Sequence, residues 1–480
     1  MTAGPPQKPP TVEAGTSRSW RVGSLTYTAG GLATLFFWLL WGDFAWAMRD
    51  RAVPPVLQLL LGKFGASDML TGLIMSSLPA ALGLIIGPVV SYKSDRLRSR
   101  WGRRIPFLVV PIPFLVLSMI GLAFCPQLGG TLSRLLGTYS PGPNWSSIIV
   151  MGIFWALFDI ACGVSASVFG ALINDVVPQS VIGRFYGLFR AAGLIAGIIF
   201  FYNVKDHAEA DSTWILLGIA ALYGGGFTLM CLNVKEGEYP PISPASDGPG
   251  VVAAIKAYFK DGLGNPYYLW FFASMILGGF ATQPFNLYAV YYAKSIGMQM
   301  DVYFKCLALT YVFSLCLAYP LGSLADRFHP LRVTMASLAL YAIIMVFDGL
   351  LVRDASTFAV ALVAHGILAG CIATAMASLN QRILPRDKFA EIGSVGGVLG
   401  AVCTMFFAPL IGMFLDSVHH DYRCTFYMTT AVTLAALGAF FVLHAKFMVL
   451  GGPAGYIAPG TEWKAQTGDL TGRKRPVSER

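Results

Sequence analysis

The sequence predicts an all-α polytopic membrane protein of twelve transmembrane helices, arranged as two pseudo-symmetric six-helix bundles. Three observations carry that expectation. The 480 residues are 55% hydrophobic and only 12% charged, with a mean hydropathy of +0.62. A soluble chain of this size carries about twice that charged fraction. The stretch Lys93–Phe107 (KSDRLRSRWGRRIPF) sets six cations and one acid between the apolar runs Leu70–Val90 and Leu108–Phe124, each long enough to cross a bilayer. A weaker copy, Gly322–Pro330 (GSLADRFHP), recurs between two apolar runs about 230 residues later.

Charge distribution orients the chain. The net charge of +9 sits in short loops and tails, which fits topological bias better than a nucleic-acid surface. The basic loop is therefore expected in the cytoplasm, and an even number of spans puts both termini there too, in a plasma or inner membrane. Cysteines such as Cys162, Cys306 and Cys371 lie in apolar segments without CxxC spacing and read as packed side chains rather than disulfides or metal ligands. There is no phosphate-binding glycine loop, metal cluster or nucleophile–base pair, so neither an enzyme nor an ATP-driven pump is expected, and no cofactor or metal. No small-residue cleavage site follows a short apolar core, so the first helix reads as uncleaved.

Taken in order, residues 1–22 read as a disordered cytoplasmic tail. The N-terminal bundle (23–232) holds spans near Leu25–Leu61, Met69–Tyr92, Ile105–Cys125, Ser147–Leu172, Ile182–Tyr202 and Trp214–Leu232. The first is long and carries Pro54-Pro55, which predicts a kink. Pro126–Asn144, rich in glycine and proline, reads as an outer loop. A cytoplasmic linker follows at 233–264, with an amphipathic helix around Val251–Phe259. The C-terminal bundle (265–448) holds spans near 267–293, 302–324, 331–352, 357–379, 391–415 and 424–447, and 449–480 form a cytoplasmic tail. The halves align by eye: Asp95-Arg96 matches Asp326-Arg327, Asn174 matches Asn380, and Asp159 then falls opposite His365. Two six-span halves with weak internal symmetry are the signature of a secondary transporter whose site lies between them near mid-membrane.

Ionisable residues in the membrane core are the functional candidates, because an acid there costs several kcal/mol unless paired, wetted or protonated. Asp159 sits halfway along the fourth span and reads as a proton carrier facing a wet cavity, or else as a packing acid with a permanent arginine partner. Asp43, Trp46 and Asp50 share one face of the first span. An aromatic ring beside carboxylates suits a sugar, the ring stacking on C–H groups and the acids accepting hydroxyl protons. With Arg51 these residues line a substrate site, or belong to an interfacial belt in which Arg49-Asp50-Arg51 meets the outer surface. Gln283 and Asn286 fall near the matching positions of the seventh span, where amides can bind a polar ligand or join helices. His365 reads as a substrate-site or a packing residue. Asp95, Arg96, Arg103 and Arg104, with Asp326 and Arg327 in the second half, read as a conformational latch between the halves, or as charge that only sets topology.

The stretch Ser94–Phe107 resembles the loop between spans two and three of the major facilitator superfamily. Together with Trp46-Ala-Met and Pro55–Leu60 in the first span, it is similar to the sucrose–proton symporters and the glycoside–pentoside–hexuronide cation symporters. Asp159 precedes Asp175 by the interval that separates that family's membrane and loop aspartates, so the resemblance implies proton coupling at Asp159. Three departures from the pattern, at four positions, stand out. Ser91 stands for a glycine that Gly322 keeps in the second half, Gly170 stands for an arginine late in span four, and Arg49 and Arg51 stand for neutral residues. The arginines suit an anionic sugar such as a hexuronate as well as a neutral one. The expected activity is proton-coupled symport of a sugar or glycoside by alternating access of a monomer. A proton-driven exporter of amphipathic solutes and a non-transporting membrane assembly factor are the alternatives.

Overall fold

The computed structural model describes residues 19–178, 181–203, 211–237, 264–377, 379–385 and 389–459. Among the described residues, eleven helices are long and apolar enough to span a membrane. The first six crossings are Ala29–Lys63, 68–96, 105–123, Pro143–Val176, Ile182–Asn203 and Ser212–Asn233. The last five are Met300–Phe328, Pro330–Leu351, Ala355–Ala377, Phe389–Ser417 and Cys424–Val449. The seventh crossing completes the twelve as two shorter helices, Pro266–Phe280 and Gln283–Ser295. Its break has a local cause. Pro284 offers no N–H and its ring clashes with the carbonyl four residues back, that of Phe280, where the first piece ends.

The helices are apolar nearly all round, as a lipid solvent requires. On span three Leu108, Ile112, Leu115, Met119 and Leu122 are buried, while Val110, Phe114 and Leu117 point outward. The second span carries a π turn at Leu73–Ser77. Such a turn disturbs the regular ladder of carbonyl acceptors, and the Trp155 indole donates to the Ile74 carbonyl at 2.9 Å. Two segments differ from the sequence reading. Trp20–Val22 and Leu25–Tyr27 pair as a short antiparallel hairpin ahead of span one. Cys125–Leu136, expected as an outer loop, is an amphipathic helix packed on span four, because its leucines recur at helical spacing despite the glycines. The linker helix expected around Val251–Phe259 lies outside the described residues.

Packing displays the repeat directly. Span one packs on six, three on six, three on four and two on four; in the second half seven packs on twelve, nine on twelve, nine on ten and eight on ten. Between the halves, two meets eleven and five meets eight, and the same exchange of halves maps one contact onto the other. The chain has the major facilitator fold.

The halves close tightly at the end opposite the basic loop. Asp416 accepts the N–H groups of Asp68 and Met69 at 2.9 and 3.0 Å, capping span two. Asp68 in turn meets His420 Nδ1 at 2.7 Å and accepts the Tyr422 hydroxyl at 3.1 Å. Tyr288 and Tyr291 donate to the Asp68 and Gln58 carbonyls, each at 2.8 Å. Backbone contact demands glycine here: a Cβ on Gly72 would lie 2.6 Å from the Ala408 carbonyl oxygen, and one on Gly412 would collide with that of Asp68.

One loop residue makes stability depend on pH. His329 (φ 73°) caps span nine, its Nδ1 accepting the Leu331 N–H at 3.3 Å. Burial first, then the charges of Arg382, Arg332 and His444, pushes its pKa from 6.5 down to about 4. The unfolded chain therefore binds this proton more readily, so the contribution is complete above pH 6.5 and is lost as pH falls through about 4. His329→Asn keeps a capping oxygen and tolerates left-handed backbone. It is expected to shrink the fall in thermal midpoint between those two pH values, measured in detergent; an unchanged fall excludes His329 as the cause.

Candidate functional site

Span one builds the centre of the site. Trp46 Nε1 donates to Asp50 Oδ2 at 2.9 Å, and the Arg49 guanidinium meets Asp50 Oδ1 through Nη2 at 2.6 Å and Nε at 3.2 Å. The Arg49 side chain is 1% exposed, whereas that of Asp50 is 46% exposed. Three rings surround the buried cation: Trp46 at 4.1 Å, Tyr223 of span six at 4.9 Å and Phe158 of span four at 5.6 Å. Trp46 itself stacks on Phe169, with centroids 5.6 Å apart. Arg49 is thus set into the bundle, while Asp50 beside it keeps nearly half of its side chain exposed.

Asp159, half-buried one position past Phe158, lies within electrostatic reach of Arg49. Asp43 is buried near Asp50 and Arg51, and Arg51 crosses to the second half, 4.9 Å over the Tyr311 ring of span eight. Asp43 Oδ2, Arg49 Nη1 and Arg51 Nε are buried without a hydrogen-bond partner among the described residues. Buried polar atoms in native proteins are nearly always satisfied, so three such atoms in one neighbourhood mark a place where a ligand or water completes the set. Gly170, where the resemblance leads one to expect an arginine, has open space at its Cβ position. Arg49 brings its charge to span four's carboxylate from a different helix.

In the second half, His365 is buried and joins two partners: Nε2 lies 2.8 Å from Asn286 Oδ1 and Nδ1 lies 2.7 Å from the Tyr341 hydroxyl. Its ring centroid is 4.1 Å from that of Phe285. Gln283 lines a cavity of about 380 Å³ with Phe272, Asn380, Gly396 and Thr404. Arg190 of span five donates to Thr374 Oγ1 of span ten at 2.7 Å, a polar contact between the halves.

The basic loop folds onto its own half. Arg103 chelates Asp175 at 2.8 and 2.9 Å, and Arg104 reaches the same carboxylate at 3.2 Å and Ser94 Oγ at 2.7 Å. Glu236 accepts the N–H groups of Arg103, Arg104 and Ile105 at 3.0, 2.7 and 2.7 Å, capping span three. These pairs join spans two, three, four and six, where the sequence reading expected a tie between the halves. The Asp95 and Asp326 side chains lie outside the described residues, so their share in a latch with Arg96 and Arg327 is not defined by the structure.

Sequence reasoning named Asp43, Trp46, Asp50, Arg51 and Asp159 as site residues and raised Arg49 only as a partner for an anionic sugar. The available signal was a cation in an apolar helix one position from an acid, with Trp46 one turn before it. Tyr223, Tyr311, Tyr341 and Arg190 carried no pattern that separates them from other aromatics and cations.

Residues 38–389 match the profile of a family described as MFS/sugar transport protein. Among curated relatives, the chain is 29% identical over 210 residues to sucrose transport protein SUT5 of Oryza sativa subsp. indica, covering 41% of this chain and 35% of that one. It is 26% identical over 160 residues to sucrose transport protein SUC4 of Arabidopsis thaliana, covering 32% and 30%. The matched region thus spans about a third of those relatives' length. Among solved structures, a bacterial homolog to the human lysosomal transporter Spinster, inward-facing and occupied, superposes with a TM-score of 0.62 at 13% identity, covering 89% of this chain and 98% of that one. A peptide transporter POT in complex with sulfate superposes with a TM-score of 0.63 at 14% identity, covering 90% and 97%. The structural likenesses establish the fold, and the family match extends from the first span through the tenth: this chain belongs to the MFS/sugar transport protein family of the major facilitators.

Proposed function

We propose that the protein takes up a sugar or glycoside together with protons, by alternating access of its two six-helix bundles across a plasma or inner membrane. The observation that carries this reading is the Arg49 cluster. A buried guanidinium held between aromatic rings presents a half-exposed carboxylate beside Trp46, while a second carboxylate, Asp159, faces the same cation. Trp46, its ring packed against Arg49 and Phe169, holds the Asp50 carboxylate in place, and Asp43, Asp50, Arg49 and Arg51 supply directional polar partners. Asp159 is the proton carrier. When it is protonated Arg49 is held by Asp50 alone, and when it is ionised the two carboxylates compete for one cation. Asn286 and His365 approach the substrate from the second half.

With the basic loop in the cytoplasm and both termini on that side, the Asp68–Asp416–His420 contacts close the outer end. The proposed state is inward-facing, the basic-loop ends having moved apart. Arg103, Arg104 and Asp175 then stiffen the rocking first half, and Asp95, Arg96, Asp326 and Arg327 form the inner latch of the opposite state. The test is uptake of a panel of neutral and acidic sugars into proteoliposomes, with and without an imposed inward proton gradient. Gradient-driven accumulation of at least one sugar is expected. Failure of every sugar to move, with co-purification of a pigment or lipid, favours an assembly factor; movement of amphipathic cations against the gradient favours an exporter.

A further inference from the structure

A second cavity lies far from the Arg49 cluster, at the basic-loop end of spans three and six. Its volume is about 650 Å³. The loop Arg98–Gly102 forms one wall and Val234–Gly237, leaving span six, forms the other. Ile105 and Val109 from the first turns of span three and Cys231 and Leu232 from the last turn of span six make an apolar floor.

The walls are built rather than incidental. Ser99 Oγ donates to the Gly102 carbonyl at 2.6 Å and the Gly102 N–H returns to the Ser99 carbonyl at 3.1 Å, closing a tight turn that needs the positive φ of Gly102. The carboxylate of Glu236 is engaged by three backbone N–H groups at the start of span three, so it ties the two walls together. Three cations, Arg98, Arg100 and Lys235, line the cavity against that single acid. Trp101 is 59% exposed and Leu232 65% exposed. Large apolar groups in the open beside cations, at the ends of membrane-crossing helices, lie where a bilayer's headgroups meet its acyl chains.

We propose that this cavity binds an anionic phospholipid, its phosphate taken by Arg98, Arg100 and Lys235 and an acyl chain laid along Val109 and Leu232. Charge complementarity selects the headgroup, and the apolar floor continuous with two spanning helices selects a lipid over a soluble phosphate. The site braces the loop between spans two and three against span six.

The test uses the full chain, purified in detergent and stripped of lipid. Phosphatidylglycerol, phosphatidylcholine and glycerol 3-phosphate are added separately, with the thermal midpoint and the lipid retained in native mass spectrometry as readouts. Phosphatidylglycerol is expected to raise the midpoint and to be retained at least fivefold more than phosphatidylcholine, with glycerol 3-phosphate without effect. In Arg100→Gln/Lys235→Gln, whose sites are both exposed, that preference is expected to fall to parity while the midpoint in phosphatidylcholine stays at the wild-type value. Equal retention of the two lipids, an unchanged preference in the double variant, or stabilisation by glycerol 3-phosphate equal to that by phosphatidylglycerol overturns the proposal. If the double variant proves unstable, Arg98→Gln replaces it with the same expected loss of preference.

Discussion

Asp159→Asn is expected to abolish gradient-driven sugar accumulation while leaving counterflow exchange intact. An inward gradient of one pH unit supplies about 1.4 kcal/mol per proton, a tenfold concentration ratio for a one-to-one symporter. An asparagine keeps the size of the side chain and cannot take up that proton, so the variant moves sugar only to equilibrium. Exchange survives because it requires the loaded carrier to reorient, and Arg49 remains held by Asp50 at 2.6 Å. Accumulation unaffected by the substitution removes Asp159 from the coupling and leaves the transporter standing. Loss of exchange as well as accumulation assigns Asp159 to sugar binding or to the packing of span four.

Arg49→Met is the second large effect. Arg49 is the cation that both Asp50 and Asp159 face, and its buried Nη1 has no partner among the described residues. Hydrogen bonds to charged groups contribute about 1.5–3 kcal/mol, so loss of one from the bound state raises KM roughly tenfold to a hundredfold. Stability responds differently. Methionine fills the slot between Trp46, Phe158 and Tyr223, and the carboxylate left behind is half exposed to solvent, so folding loses about 1–2 kcal/mol. Arg49→Lys restores the charge without the planar group that stacks on rings and forks onto a carboxylate, and its KM is expected between the two. Kinetics in proteoliposomes beside thermal midpoints in detergent separate the effects. A large drop in midpoint with an unchanged KM in the surviving protein makes Arg49 a purely structural cation.

Much of the fold was legible because a lipid solvent imposes simple rules. Long apolar runs give spans, and the recurrence of Asp95-Arg96 as Asp326-Arg327 gives two halves. What escaped depends on contacts across helices. Cys125–Leu136 has the glycine and proline of a loop, which hide the helical spacing of its leucines until they are seen packed on span four. The break in span seven is the exception, a local effect of Pro284, while Pro54-Pro55 leaves the first span one continuous element of 35 residues, the single long helix read from the sequence. The paired aspartates and aromatic of span one were visible as a face. That Arg49 lies under that face required Phe158 and Tyr223, which arrive from spans four and six. The partners of Arg103 and Arg104 were likewise out of reach, since Asp175 lies 72 and 71 residues downstream and becomes a neighbour only when span four packs on spans two and three.

The most direct test of the central claim is to add sugar to proteoliposomes in lightly buffered medium, with no imposed gradient, and follow external pH. Symport predicts alkalinisation of the medium that tracks labelled sugar entry and disappears in Asp159→Asn, even though that variant still exchanges sugar. Sugar entry without any pH change, or with acidification, contradicts proton symport at this site.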